Sequence, residues 1–176
     1  MATASTPPQA EEESGTAPTE TGSPTGEFSF SSQPTTEEIS QSNLLPVPLV
    51  PKGQPGDAEN QALASALMVY RARTVEDEFG PLVGFLDQFP ESPWRLALLT
   101  NLGIGYFKTG HFSKAMTAWG AAWQIGKGED DQRIKPIADR AIGELAKLNA
   151  RLGRVDQLEA IFAEIEGRMF SGSSSE

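Results

Sequence analysis

From residue 57 onwards apolar side chains recur three and four positions apart, the interval that places them on one face of a helix. Leu63, Ala66, Leu67 and Tyr70 form the first such face, in a helix that Asp57 can cap. Thr74 restarts the pattern, which passes through Phe79, Leu82, Val83, Leu86 and Phe89 and stops at Pro90. Glu76, Asp77 and Glu78 then occupy a first helical turn, where carboxylates favour the helix dipole. Ser92 followed by Pro93 reads as an N-cap with proline at the first helical position. The third helix runs to about Thr109, where Gly110 supplies a left-handed stop. Residues 112–125 predict a fourth helix, broken by Gly126, Lys127 and Gly128. A fifth spans residues 131–152, with Pro136 near its start or at a kink, and Gly153 ends it. Residues 155–168 make the sixth. Six helices joined by short turns predict three antiparallel pairs in an all-α fold.

Before residue 57 this periodicity is missing. Residues 1–56 hold nine of the 13 prolines, and seven Glu against the single basic residue Lys52. A segment so polar buries too little apolar surface to offset its chain entropy, which predicts a disordered tail and linker. One stretch departs from that composition. Residues 43–51 are apolar but punctuated by Pro46, Pro48 and Pro51, hence extended rather than helical. Two roles fit it: a linker laying its Leu and Val side chains on the first helix, or a docking motif for a partner or for the chain's own groove.

The third and fourth helices carry a specific motif. Leu99-x-x-Leu102-Gly103-x-x-Tyr106, then Gly110, Phe112, Ala115-x-x-x-Trp119 and Ala122, closely resembles a tetratricopeptide repeat. Gly103 and Ala115 are small where paired helices approach, while Leu102, Tyr106 and Trp119 fill the seam. Ile142-x-x-Leu145-Ala146, Gly153, Val155, Leu158 and Phe162 repeat the spacing more weakly. The 43 residues from Gly110 to Gly153 exceed the family's period of about 34, and the excess falls at residues 126–136. Leu63-x-x-Ala66-Leu67-x-x-Tyr70 with Phe79-x-x-x-Val83 and Leu86 makes a third copy without the turn glycine. The resemblance covers residues 57–168 and implies a right-handed α-solenoid of three helix pairs. It divides the chain into a tail (1–56), a helical repeat domain (57–170) and a flexible C-terminus (171–176). Leu158, Ile161, Phe162 and Ile165 then form an inward stripe on a capping last helix.

Composition narrows the chemistry. The 176 residues include no Cys and one His, and their formal charge is −10. That removes disulfides, thiolate metal sites and most histidine-based catalysis, and argues against a binder of nucleic acid, which needs a basic stripe. His111 reads as a turn residue. Gly128, Glu129, Asp130 and Asp131 lack the alternating ligand spacing of a calcium loop. Trp119 and Trp123, four apart, read as core. No glycine-rich phosphate loop and no nucleophile–base pair appears, so the expectation is a non-enzymatic protein without metal or cofactor. No run of about 18 apolar residues spans a bilayer. The absence of a signal peptide predicts a cytoplasmic monomer, unless the chain is a fragment of an exported protein.

What the resemblance adds is a surface. In such repeats the first helix of each pair lines a concave groove that holds extended peptides or partner helices. By pattern, Arg71, Asn101, Ile104, Lys108, Arg140, Glu144, Lys147 and Arg151 fall on that groove. Five basic residues against one acid make it positive in an acidic chain, which implies an acidic peptide or protein, or the chain's own tail, as the occupant. The alternative is a helical spacer at the N-terminal side of a larger protein, with these residues on ordinary solvated helix faces.

Overall fold

The computed structural model describes Met1 and residues 28–171. Among these residues there are seven helices and no strand: α1 (Thr36–Gln41), α2 (Asp57–Arg71), α3 (Gly80–Gln88), α4 (Arg95–Lys108), α5 (Phe112–Gly126), α6 (Lys135–Arg151) and α7 (Val155–Ile165). The expectations of disorder over residues 2–27 and of flexibility over 172–176 lie outside the described residues.

Packing is tightest between α4 and α5. Residues 109–111 make a short turn between them, with Gly110 at φ +80° in the left-handed region, so the two helices run antiparallel. Gly103 permits their close approach: a β-carbon there would run into the Trp119 indole. Trp119 is 1% exposed, and its Nε1–H donates to the Thr100 carbonyl at 3.2 Å. Helix α6 packs on both α4 and α5, α7 on α6, and α2 on α3. Phe79, at the start of α3, reaches α4, where its ring lies 4.7 Å from that of Tyr106. One continuous core results, containing Trp94, Trp119 and Trp123 together with Leu63, Leu82, Leu98 and Ile142.

Several boundaries differ from the sequence reading. Helix α3 starts at Gly80 rather than Thr74, because residues 74–79 form turns and Gly80 N–H is capped by Glu78 Oε1 at 3.0 Å. Glu76, Asp77 and Glu78 therefore precede the helix. Helix α6 starts at Lys135, which puts Pro136 in the first turn, where its missing N–H leaves no bond unmade. Helix α7 ends at Ile165.

Two larger differences affect function. Residues 28–56, expected to be disordered apart from the extended stretch 43–51, pack against the helices. Thr35 Oγ1 accepts the Glu38 N–H to cap α1, and the Ile39 side chain is fully buried. Val47 and Leu49 join the core. Composition averaged over the tail conceals these few well-placed apolar groups.

The second difference is in α7. Ile161 is buried and Leu158 and Ile165 are half-buried, but Phe162 is 55% exposed and Val155 60%. Each residue advances about 100° around a helix, so Phe162 turns away from the α6 contact that Ile161 makes. The expected capping stripe is thus narrower than its sequence.

The seam predicts its own sensitivity. Trp119→Ala should cost about 3–5 kcal/mol by leaving a cavity. Gly103→Leu should cost roughly 1–3 kcal/mol by forcing α4 and α5 apart. Urea denaturation followed by far-ultraviolet circular dichroism measures both, and a Trp119→Ala protein that melts with the parent would place the seam elsewhere.

Candidate functional site

Helices α2, α4 and α6 carry the eight residues assigned to a groove, and they fall into two groups. In the first group the N-terminal segment is already in place. The Arg71 guanidinium lies 5.4 Å above the Phe28 ring and donates to the Phe28 carbonyl at 3.2 Å. Asn101 is buried in the middle of α4. Its Oδ1 accepts the Val47 N–H at 2.8 Å, and its Nδ2 donates to the Val47 carbonyl at 2.9 Å. A second bond from Nδ2, to the Ala97 carbonyl at 2.9 Å, fixes the amide's orientation. One side chain therefore satisfies both backbone groups of a residue 54 positions upstream.

Beside this contact lies a cavity of about 350 Å³. Leu44, Leu45 and Pro46 border it on one side, Ile104, Lys108 and Thr109 on another, and Tyr70, Arg73, Glu76 and Phe79 close it. The Arg73 guanidinium sits 3.7 Å over the Tyr70 ring and donates to the Tyr70 carbonyl at 2.7 Å. Burial pushes the Tyr70 and Tyr106 hydroxyls above the ordinary tyrosine range. Arg73, Tyr70 and Phe79 were not among the sequence-assigned groove residues.

The second group lies toward the far ends of α4 and α6. Arg140 pairs with Glu144 one turn along α6, at 2.7 Å, which cancels both charges locally. Lys147 and Arg151 follow on the same helix and are exposed. Arg151 stacks over the Phe107 ring of α4 at 5.5 Å, which brings it to the end of α4 where Lys108 stands. Among the described residues Lys108, Lys147 and Arg151 make no ion pair. Among the described residues this end therefore carries positive charge without an ion partner.

A buried charged cluster, absent from the sequence reading, fastens the C-terminal segment. Asp139 is 0% exposed and accepts from Lys135 Nζ at 2.9 Å, Arg168 Nε at 2.7 Å and the Ser171 N–H at 2.8 Å. Arg168 also covers the Trp123 ring at 4.8 Å. With every acceptor occupied by the chain itself, the cluster is a structural clasp. Only the Lys135–Asp139 spacing of one helical turn signals it in the sequence.

The other groups considered from sequence are engaged within the chain. His111 Nδ1 is 3.0 Å from Thr109 Oγ1 in the turn before α5. Glu129 pairs with Lys52 at 2.8 Å, and Asp131 with Arg133 at 3.0 Å. Among the described residues no group of three His, Asp or Glu is placed to hold a metal ion, and no helix is long and apolar enough to cross a membrane. Comparisons with protein-family models, with curated proteins and with solved structures find no match to this chain.

Asp139→Ala should destabilise the fold by about 3–5 kcal/mol, since two largely buried cations would lose their anion. Thermal or urea melts of the variant measure this. An unchanged midpoint would mean that the clasp is solvated.

A second expectation concerns pH. The Ser31 N–H and hydroxyl donate to the Glu38 carboxylate at 2.6 and 2.8 Å and hold its pKa below the ordinary glutamate range. The linkage is therefore present above the unfolded pKa and lost as pH falls through the lower, folded one. The Ser31 amide resonance should titrate with a midpoint below that of an exposed glutamate, and should stay flat in Glu38→Gln.

Proposed function

We propose that the chain is a non-enzymatic protein-interaction module, a right-handed array of three tetratricopeptide-like helix pairs (α2/α3, α4/α5 and α6/α7) whose concave face holds extended peptide. The observation that carries this reading is the Asn101 amide, which engages the backbone N–H and C=O of Val47 together. That contact is indifferent to side chains. It is what a surface requires in order to hold a chain in extended conformation. The first half of the groove is filled by the module's own residues, so a partner enters the second half. There Ile104 offers apolar contact, and Lys108, Lys147 and Arg151 offer uncompensated positive charge. The occupant that fits is an acidic peptide with apolar anchors, docking beside the strap of residues 44–51.

Selection of phage-displayed random peptides on the full chain tests this. Acidic sequences carrying apolar residues should be enriched. Their affinity should drop at least about tenfold when Lys108, Lys147 and Arg151 are all changed to Glu, the loss coming with a weaker salt dependence. Enrichment of the same peptides by the triple variant would remove the second half of the groove from the reading.

A second reading, the structural spacer, draws on a different observation. Val155 and Phe162 leave an apolar strip on the outside of α7, as expected where another element packs over the last pair. Sedimentation equilibrium separates the two readings. A protein that associates with rising concentration, and becomes monomeric in Phe162→Lys, is using this end as an interface.

A further inference from the structure

We propose that the slot between α2 and α4 is a binding surface for an extended, proline-punctuated apolar peptide, and that residues 44–51 are its cis occupant, able to leave while the helices stay folded. The proposal rests on the reading of the chain as a peptide-holding module, and it identifies one class of peptide and what competes for its site.

The slot is a feature of the helix arrangement. Helix α4 packs directly on α6, yet no Cα of α2 comes within 8 Å of one in α4. The strap runs in the intervening space, where Leu44, Leu45 and Pro46 border one cavity together with Tyr70 of α2 and Asn101 and Ile104 of α4. Its side chains alternate as an extended segment must: Val47 and Leu49 face the core, while Pro46 and Pro48 are exposed. The prolines matter chemically. Each removes a backbone N–H that the slot would have to satisfy, and the donor that remains between them, on Val47, is the one Asn101 accepts. An occupant is therefore defined by apolar residues at two alternate positions, with proline before and between them.

The strap is built to detach as a unit. Asn43 at one end (φ +50°) and Gly53 at the other (φ +113°) lie in the left-handed region, where the chain turns sharply. Outside these turns the anchors are separate. Upstream, Ile39 seats α1 on α2. Downstream, the Lys52 N–H donates to the Pro93 carbonyl at 2.8 Å, and its ammonium reaches the Ile125 carbonyl and Glu129. At the α4–α5 seam the atoms nearest Gly103 are those of the Trp119 indole, not of the strap. Opening of residues 44–51 thus leaves α4, α5 and α6 in contact. A tethered occupant has an effective concentration in the millimolar range, so a free peptide competes only when the cis copy is weakened or the free one fits better.

Hydrogen exchange on the full chain gives the first test. The Val47 amide should exchange at least about 100-fold faster than that of Leu98 in α4, with little dependence on denaturant, as sub-global opening requires. Exchange of both amides together, through global unfolding, would overturn the proposal.

The second test uses a fluorescent synthetic peptide of residues 43–52 and the full-length double variant Val47→Ser, Leu49→Ser. The peptide should bind the variant at least tenfold more tightly than the parent, and adding Asn101→Leu should abolish binding. A variant that keeps its helical circular dichroism but does not bind, or a parent that binds equally, would refute the proposal. Should the double variant fail to fold, the exchange result decides alone. Failure of the acidic-peptide selection would leave both readouts unaffected, since neither uses Lys108, Lys147 or Arg151.

Discussion

The architecture depends on the space that Gly103 leaves for Trp119. A large indole laid against a bare backbone lets α4 and α5 approach closely. Its one polar atom is satisfied within the seam by the Thr100 carbonyl. The same economy recurs at the other end of α5, where Gly126 faces Ala138 of α6 and Leu96 of α4. Three helices are thereby fixed around small residues on one side of α4. Elsewhere α4 touches α3, but it makes no direct backbone approach to α2, and Phe79, Trp94 and the strap lie between them. The tight side thus creates the slot on the loose side. An extended chain fills it, since Pro46, Pro48 and Pro51 bar a helix there.

The helical part of this was legible because it is written in local spacing. Gly103, Tyr106, Gly110, Ala115 and Trp119 lie within one helical hairpin, and each constrains a neighbour a few residues away. The start of α3 was not legible, since an acidic run before an apolar one has the same appearance whether it forms a first turn or the turn preceding it. Phe162 misled for a related reason. A helical repeat of 3.6 allows a stripe to be drawn through Ile161 or through its neighbour, and only the angle at which α7 meets α6 chooses between them.

The candidate site divides along the same line. Asn101 was placed on the groove by its position in the motif, but the group it holds is 54 residues away, and no local pattern joins the two. The strap read as an apolar, extended stretch, but the residues around it read as disorder because prolines and carboxylates dominate them. Three buried side chains, Ile39, Val47 and Leu49, outweigh that average once a slot of the right width exists. Asp139 escaped notice because two of its partners, Arg168 and Ser171, lie 29 and 32 residues further on. Long-range polar pairing of this kind has no signature in a single sequence.

Electrostatics ties the two halves of the groove together. In a chain of net charge −10, five cations outside the candidate groove are ion-paired: Lys52 to Glu129, Lys127 to Glu164, Arg133 to Asp131, and Lys135 and Arg168 to Asp139. Among the described residues Arg73, Arg95, Lys114 and Arg154 are not. Of the candidate-groove cations without an ion pair among the described residues, Lys108 and Arg151 stand in the last turns of α4 and α6, where the helix dipole favours positive charge. Helix stability alone would therefore accept them there. It does not account for Lys147, a full turn earlier and also exposed, nor for the Phe107 ring beneath Arg151. A cation laid over an aromatic face is held in place and partly shielded from water, which strengthens its attraction to an incoming carboxylate. The strap ends beside this cluster, at Leu44 and Leu45 on the rim of the cavity that Lys108 also borders. On the function proposed above, a peptide attracted by the cations would meet the apolar edge of the cis segment first, and contact there is where competition for the slot would begin.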